Sequence, residues 1–317
     1  MHTLLDLPCY LNGKFTKLPN AKISVMDRGF VFGDGIYEVV PVYGGLPFRF
    51  NHHMDRMERS LTELRIALPL SRSQWHDIVL HLVKSYAQAV KVPHATAGTV
   101  LAKKDRGGDQ LIYIQISRGV AMRDHVMPPG LEPTVFAMTN ALKMPSAALR
   151  RTGASCVTAE DFRWEKAHIK ATSLLGAVFA RQISYDAGAL ETVMFRHGYL
   201  SEAAASNVWV VKNGTIIGVP KDNLVLEGIR YGLFAQLAKQ IGAKFELRRI
   251  RHDEVLNADE LLLSSATKEV LAITKLDGRP VGTGDQKGKP GPVYARLYQA
   301  YQRAKIAEHA EFERSLV

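Results

Sequence analysis

The chain has 317 residues, 46% hydrophobic and 23% charged, with a formal net charge of +10, which suggests about two globular domains and excludes disordered and membrane-spanning classes. Its basic residues are scattered, without a basic helix or an RNA-recognition signature, so we expect no nucleic-acid partner. Cys9 and Cys156 stand outside any Cys-x-x-Cys spacing, which predicts neither a disulfide framework nor a metal site. No secretory signal is recognisable at the N-terminus, so we expect a cytoplasmic protein without membrane association.

The N-terminal part is predicted to form hairpins followed by helices. Asn12-Gly13 is a strong hairpin signal, and Gly44-Gly45 separates two further strands. Asn51 is the expected N-cap of a helix that Pro69 ends. The remaining elements are a helix capped by Ser71 or Ser73 and two strands, at 111–117 and 134–139.

The periodic pattern is lost after Thr139, so we predict a first domain at 1–139, a linker at 140–148 and a second domain at 149–317. Residues 103–110 are interpreted as a surface insertion. The second domain mixes strands and helices, which predicts an α+β fold. Its expected strands are 155–159, 191–195, 207–211, 215–219, 244–247, 260–264 and 270–276, and its expected helices are 173–183, 228–241 and 292–317.

The segment at 160–180 contains two lysines, Lys166 and Lys170, followed by an apolar stretch typical of a buried helix. Lys170 is therefore predicted to lie at the start of that helix. Desolvation beside a packed core disfavours the ammonium form, so the amine there can become a nucleophile. The alternative is an ordinary solvated loop lysine.

Three residues are candidates for binding a carboxylate. Tyr37 begins a strand after a glycine-bracketed turn, although a strand tyrosine is more often a packing residue. Arg123 and His125 follow the strand at 111–117, in a loop that also contains Arg118. A guanidinium matches a carboxylate in two bonds and histidine adds a third donor; the alternative is a solvated loop.

Two segments are candidates for binding an anion such as phosphate. Gly228-Ile229-Arg230 opens a predicted helix, whose first amides and dipole favour negative charge. Residues 264–267 (Ser-Ser-Ala-Thr) follow a strand and add amides and hydroxyls. Neither signal is specific alone, since every helix has an N-terminus.

Three motifs in this order resemble one family. They are residues 27–40 (Asp-Arg-Gly-Phe-Val-Phe-Gly-Asp-Gly-Ile-Tyr-Glu-Val-Val), residues 160–182, and Ser201-Glu202 leading to Ser206-Asn207. Together they resemble the fold type IV enzymes that use pyridoxal 5'-phosphate, and among them the D-amino acid aminotransferases. The resemblance spans about 13–278 and implies a small N-terminal α/β domain and a larger C-terminal mixed β/α domain.

The resemblance also implies roles at the cofactor. Lys170 is similar to the lysine that holds the cofactor as a Schiff base, with Lys166 as its rival, and Glu202 to the acid that meets the pyridine nitrogen. Arg56 matches the phosphate arginine. The remaining phosphate contacts are implied for Ile229, Arg230, Ser265, Ala266 and Thr267. Arg230 and Ala266 stand where close relatives carry threonine, so two phosphate hydroxyls are lost.

At the substrate, the resemblance implies that Tyr37, Arg123 and His125 trap the carboxylate, with the Arg-x-His loop donated by a neighbouring subunit of a homodimer. It implies ping-pong transfer of the amino group of a D-amino acid, such as D-alanine, to a 2-oxo acid, such as 2-oxoglutarate. The alternatives are an aminodeoxychorismate lyase and an L-branched-chain aminotransferase of the same fold.

Overall fold

The computed structural model of the chain describes residues 5–90 and 108–315. The contacts divide the chain into two compact units, one made of residues 1–142, 169–174 and 308–317 and the other of residues 143–168 and 175–307. Lys170 thus belongs to the first unit. The domain limits predicted from the sequence, with a linker at 140–148, stay a prediction, and residues 103–107 of the predicted insertion lie outside the described residues.

The first unit contains a six-stranded antiparallel sheet with the strand order β2-β1-β6-β5-β3-β4. Its strands are β1 (Pro8–Leu11), β2 (Lys14–Lys17), β3 (Gly35–Tyr43), β4 (Leu46–Pro47), β5 (Gln110–Ser117) and β6 (Thr134–Ala141). Its helices are α1 (Arg28–Phe32), α2 (Phe50–Glu63) and α3 (Arg72–Val90), with a 3₁₀ turn at Leu18–Asn20. The predicted hairpin at Asn12-Gly13 and the strands at 111–117 and 134–139 are confirmed.

The core of the first unit lies between its sheet and its two long helices. Ile112, Ile114 and Ile116 alternate along β5 and are fully buried, as a half-buried strand requires. They pack in one cluster with Met57 of α2 and Trp75 of α3. The predicted N-cap at Asn51 is wrong: α2 begins at Phe50 and its N-cap is Arg49, which adopts a left-handed conformation.

The second unit contains a mixed sheet of nine strands, eight in the order β12-β11-β10-β13-β14-β7-β8-β9 with β15 paired to β14. The strands are β7 (Ala154–Glu160), β8 (Glu191–Arg196), β9 (Tyr199–Ala203), β10 (Asn207–Lys212), β11 (Thr215–Gly218), β12 (Phe245–Leu247), β13 (Glu260–Ser265), β14 (Glu269–Leu276) and β15 (Arg279–Pro280). The helices are α4 (Ala147–Thr152), α5 (Leu175–Asp186), α6 (Arg230–Gln240), α7 (His252–Leu256) and α8 (Pro292–Ser315), with a 3₁₀ turn at Gly284–Gln286. Residues 308–315 of α8 belong to the first unit.

The helix that follows Lys170 is not buried in the single chain. The sequence predicts a buried helix at 173–183, and the structure has α5 at Leu175–Asp186 with only Ala180 and Ser184 buried. Leu175, Val178 and Phe179 are exposed. The prediction of burial was wrong because an apolar sequence favours contact with another apolar surface, but it does not show that the same chain provides that surface.

None of the helices in the described part of the chain is long and apolar enough to cross a membrane. The cytoplasmic location stays a prediction.

Candidate functional site

The backbone of Lys170 is joined to strand β3 of the first unit. Its carbonyl oxygen accepts a hydrogen bond from Tyr37 N at 2.9 Å, and Ala171 forms an antiparallel bridge with Ile36. Thr172 N then donates to Gly35 O at 2.9 Å. The segment with the lysine therefore adds to the edge of β3 as a short extra strand, which fixes where the side chain starts.

The Lys170 side chain lies against the ring of Tyr37. Its Nζ is 3.8 Å from the ring centroid, a distance typical of a cation–π contact. Lys170 is half-buried, whereas its rival Lys166 is exposed. Among the described residues no carboxylate lies within ion-pair distance of the Lys170 amine, so an aromatic face holds it rather than an opposite charge.

Arg56 is part of a buried charge cluster. Its Nε and Nη2 donate to the two carboxylate oxygens of Glu38 at 2.7 and 2.8 Å, and Nδ1 of His53 lies 2.8 Å from the same carboxylate. Burial alone raises the pKa of Glu38, but Arg56 and His53 outweigh it and hold that pKa well below its usual range. Glu38 on β3 thus fixes the orientation of the Arg56 guanidinium.

A second cluster holds the start of the loop that contains Arg123 and His125. Arg118 is buried and donates to both oxygens of Asp34 at 2.7 and 3.0 Å. Arg28 donates to the same carboxylate at 2.8 Å and to the Asp124 carbonyl at 2.6 Å. Burial raises the pKa of Asp34, but these arginines outweigh it and lower the pKa. Arg118 is therefore a structural residue rather than a solvated one.

Arg123 and His125 are brought together by one ring. The Arg123 guanidinium carbon lies 5.5 Å from the centroid of Phe32, and the His125 ring lies 5.4 Å from it. Both side chains are otherwise exposed. The loop around them is apolar for a surface loop, since Met122 and Val126 are exposed as well.

In the second unit, Glu202 on β9 is a buried carboxylate that accepts several hydrogen bonds. Arg163 Nη1 donates to Oε1 at 2.5 Å, the Leu226 amide donates to Oε1 at 3.2 Å, and Asn207 Nδ2 donates to Oε2 at 3.0 Å. Burial raises the pKa of Glu202, and the charge of Arg163 opposes that shift. Arg163 also donates to the two carboxylate oxygens of Asp161, at 2.9 Å each. Asp161 therefore fixes the guanidinium that orients Glu202.

Glu202 is connected to the start of α6 through Asn207. The same Asn207 amide donates to Leu226 O at 3.0 Å. Gly228 packs so closely on the Asn207 side chain that a Cβ there would overlap the amide oxygen. The α6 N-cap, Ile229, has no side-chain acceptor for the first helical amides. The Tyr231 amide donates to Gly228 O at 3.0 Å, and the other amides of this turn are suited to an external anion.

Trp209 links the start of α6 to the second predicted anion segment. Its ring lies 4.7 Å from that of Tyr231 in the first turn of α6, and its Nε1 donates to Ser264 Oγ at 2.9 Å. Ser264 precedes the hairpin turn between β13 and β14. In that turn Ser265 Oγ accepts the Lys268 amide at 3.1 Å and lies 3.4 Å from Thr267 Oγ1.

The sequence profile of the amino-transferases of class IV matches residues 35–276 of this chain. This chain belongs to that family. The D-alanine aminotransferase of Bacillus licheniformis is 32% identical to it over 300 residues, which cover 95% of this chain and 98% of the relative. The D-alanine aminotransferase of Staphylococcus aureus (strain MSSA476) is 34% identical over 295 residues, covering 93% and 96%.

Solved structures share the fold of this class IV amino-transferase. The branched-chain amino acid aminotransferase of Escherichia coli has a TM-score of 0.76 at 21% identity, covering 94% of this chain and 93% of its own. A fold IV-transaminase of Curtobacterium pusillum has a TM-score of 0.73 at 21% identity, covering 91% of this chain and 93% of its own. These structures confirm the predicted α+β fold of type IV, and membership of the class IV family confirms the predicted transaminase activity.

The structure groups the predicted residues of the amino-transferase within each unit. In the first unit Lys170 meets Tyr37, and in the second Glu202 is linked to the start of α6. Sequence reasoning assigned no role to Glu38 or Arg163, although both stand in the motifs at 27–40 and 160–182. Among the described residues no cluster of histidine, cysteine and acidic side chains could hold a metal ion. The cofactor and substrate roles of the predicted residues stay predictions.

We predict that Glu38→Gln lowers the free energy of unfolding by about 3–5 kcal/mol at pH 7, because it leaves Arg56 buried without its carboxylate. The folded-state pKa of Glu38 lies below its unfolded value of about 4.3. The stabilisation is therefore complete above that pH and is lost as the pH falls further. Urea unfolding at pH 7, 5 and 3.5 measures the effect.

The matched control is Glu58→Gln, since Glu58 lies on α2, the helix that carries Arg56, and forms a two-bond pair with Arg72 that is exposed to solvent. Solvent screening makes that pair much weaker, so the control should lose far less stability. The assignment is contradicted if Glu38→Gln loses no more free energy of unfolding than Glu58→Gln at pH 7. It is also contradicted if the difference in free energy of unfolding between the wild-type protein and Glu38→Gln is not smaller at pH 3.5 than at pH 7.

Proposed function

We propose that this enzyme transfers the amino group of a D-amino acid, such as D-alanine, to a 2-oxo acid, such as 2-oxoglutarate, in a ping-pong reaction with pyridoxal 5'-phosphate as its cofactor. The observation that carries the proposal is the likeness to D-alanine aminotransferases at 32–34% identity over 93–95% of the chain. The branched-chain aminotransferases share the fold at a lower identity of 20–23%.

The described residues fit the chemical groups of such a cofactor. Lys170 offers an amine for the aldehyde, held by an aromatic face rather than by an acid. Glu202 offers a buried carboxylate for a pyridinium nitrogen. Donors for a phosphate are offered by the first amides of α6, which follow the Ile229 N-cap. The hydroxyls of Ser265 and Thr267 are further donors.

When bound, pyridoxal 5'-phosphate supplies an aldehyde that exchanges amines and a ring that withdraws electrons from the substrate's Cα. Lys170 would hold the cofactor through its side-chain amine, and the same amine, when free, would take the proton from the substrate's Cα as the general base. Glu202 would favour protonation of the ring nitrogen, because an ionised carboxylate beside that nitrogen stabilises its cationic form. Arg163 supports this role, since its positive charge opposes the rise in the pKa of Glu202 that burial causes.

Phosphate binding is assigned to Arg56, Ile229, Arg230 and the turn at 265–267. Glu38 already engages Nε and Nη2 of Arg56, so the guanidinium is held in one orientation before a ligand binds. The backbone amides do not depend on side-chain identity, which is why the replacement of threonine by Ala266 still leaves a donor at that position.

Substrate recognition is assigned to Tyr37, Arg123 and His125. A guanidinium and an imidazole two residues apart present convergent donors to one carboxylate. The shared contact with Phe32 keeps Arg123 and His125 together on the loop. Binding of the carboxylate by this pair favours the D-enantiomer in the family that the sequence resembles.

We further propose a homodimer in which the loop with Arg123 and His125 completes the site of the partner. Exposed apolar side chains support this proposal. On α5 these are Leu175, Val178 and Phe179, and on the loop they include Met122 and Val126. A second copy of the chain would cover surface that is unusual on a monomer.

The function is tested by adding D-alanine and then L-leucine to the purified holoenzyme without a 2-oxo acid while recording its absorbance. We expect D-alanine to convert the cofactor to its amine form, 2-oxoglutarate to reverse the change, and kcat/KM to favour D-alanine by at least about 100-fold. Conversion by L-leucine alone identifies a branched-chain enzyme. Pyruvate and p-aminobenzoate formed from aminodeoxychorismate, without conversion by D-alanine, identify a lyase.

The lysine assignment predicts that Lys170→Ala lowers kcat by about 1,000-fold or more and abolishes the cofactor band that borohydride fixes to the protein. Lys166→Ala is the matched control because Lys166 is exposed, and it should retain both the band and most of the activity. A band that persists in Lys170→Ala and disappears in Lys166→Ala reverses the assignment.

The shared site predicts complementation between two defective subunits. Arg123→Leu should lower kcat/KM for D-alanine at least about tenfold, because a charged hydrogen-bond donor is lost. A heterodimer of Arg123→Leu and Lys170→Ala subunits, isolated through two affinity tags, would contain one intact site and about half of the wild-type activity. If the loop serves its own subunit, both sites are defective, and kcat/KM for D-alanine stays at or below about half of the value for the Arg123→Leu homodimer.

A further inference from the structure

The C-terminal helix α8 is fastened to the strand that leads into the proposed phosphate turn. The amides of Val293 and Tyr294 at the start of α8 donate to the two carboxylate oxygens of Glu260, each at 2.8 Å. Glu260 is the first residue of β13, whose last residue is Ser265. The first turn of α8 is therefore tied to the same strand that carries the turn.

The next contact joins α8 to the start of α6. Arg230 is the first residue of α6 and is buried, and its Nε and Nη2 donate to the hydroxyl of Tyr301 at 3.2 and 3.1 Å. Tyr301 is fully buried on α8. A buried guanidinium requires fixed acceptors, so the direction of the Arg230 side chain, and with it the first turn of α6, depends on α8.

A third contact joins α8 to the end of the phosphate turn. Glu269 follows Lys268, adopts a left-handed backbone with φ of +59° and is fully buried. Lys305 Nζ and Gln302 Nε2, both on α8, donate to its carboxylate at 2.7 and 2.9 Å, and Arg150 donates to it at 2.9 Å. That backbone is unfavourable for a residue other than glycine, so the side-chain contacts of Glu269 stabilise the conformation in which the turn ends.

We propose that α8 is a positioning element for the phosphate site, in which Tyr301 sets the first turn of α6 through Arg230 and Lys305 sets the turn at 265–267 through Glu269. Both segments assigned to the phosphate are thus attached to one helix that does not itself contribute a phosphate donor. The inference rests on the proposed function, because that function assigns the two segments to the cofactor's phosphate.

The proposal is tested by titrating the cofactor-free protein with pyridoxal 5'-phosphate and, separately, with pyridoxal, which lacks the phosphate. The affinity for pyridoxal 5'-phosphate divided by the affinity for pyridoxal reports on the phosphate site alone. We expect Tyr301→Phe and Lys305→Met each to lower this ratio by about tenfold, the effect of one lost charged hydrogen bond, while the affinity for pyridoxal stays within about twofold.

Two variants serve as controls. Tyr298→Phe removes a hydroxyl from the same helix but keeps the ring, over which the Arg150 guanidinium lies at 4.4 Å, so it should retain the wild-type ratio. Lys305→Arg keeps a cation opposite Glu269 and should restore most of the ratio lost in Lys305→Met. This rescue also separates positioning from a general loss of folding.

Three outcomes overturn the inference. An unchanged ratio in both Tyr301→Phe and Lys305→Met shows that the phosphate site does not depend on α8. Equal losses for pyridoxal 5'-phosphate and pyridoxal show that α8 only supports the fold. A wild-type protein that does not prefer pyridoxal 5'-phosphate over pyridoxal refutes the phosphate site itself and the proposed cofactor with it, whereas the first two outcomes leave the proposed function intact.

Discussion

The position of the proposed catalytic amine depends on the backbone pairing between β3 and the segment at 169–174. Tyr37 N and Lys170 O form one hydrogen bond of this pairing, and Thr172 N and Gly35 O form another. Because these are main-chain contacts, the same strand supplies both the anchor for the lysine and the tyrosine ring on which its Nζ lies. A short peptide segment thereby gains the rigidity of a six-stranded sheet, as a site that must hold a reacting group requires.

Within each unit, carboxylates with little exposure to solvent hold the residues around the predicted positions, and each of these carboxylates is bound by cations. Glu38 binds Arg56, Asp34 binds Arg28 and Arg118, and Glu202 binds Arg163. Desolvation of one charge without the other is strongly unfavourable, so each pair has a narrow range of geometries. Because Asp161 also binds Arg163, four arginines face four carboxylates in these clusters, so the clusters add nothing to the net charge of +10.

Local patterns predicted the secondary structure better than they predicted these pairs. The alternation along 111–117 predicts β5 because Ile112, Ile114 and Ile116 face one core, and Asn12-Gly13 predicts a hairpin because its backbone requires positive φ. The short helices α1, α4 and α7 have five or six residues each, too few for a periodic signal. The resemblance at 27–40, 160–182 and 201–207 predicts the candidate site residues, but not the side chains that hold them in place.

Arg230 shows why the tertiary contacts of a side chain are hard to predict from the sequence. Its place after Gly228-Ile229 predicts a side chain near an anion, and charge alone supports that interpretation. In the fold its guanidinium is bonded to Tyr301, which is 71 residues away, and no periodicity connects the two positions. A threonine in its place would be too short to reach α8. The Arg230 side chain therefore makes a tertiary contact where a threonine would offer a hydroxyl, and binding of the proposed phosphate would depend on the backbone amides of α6, which any residue supplies.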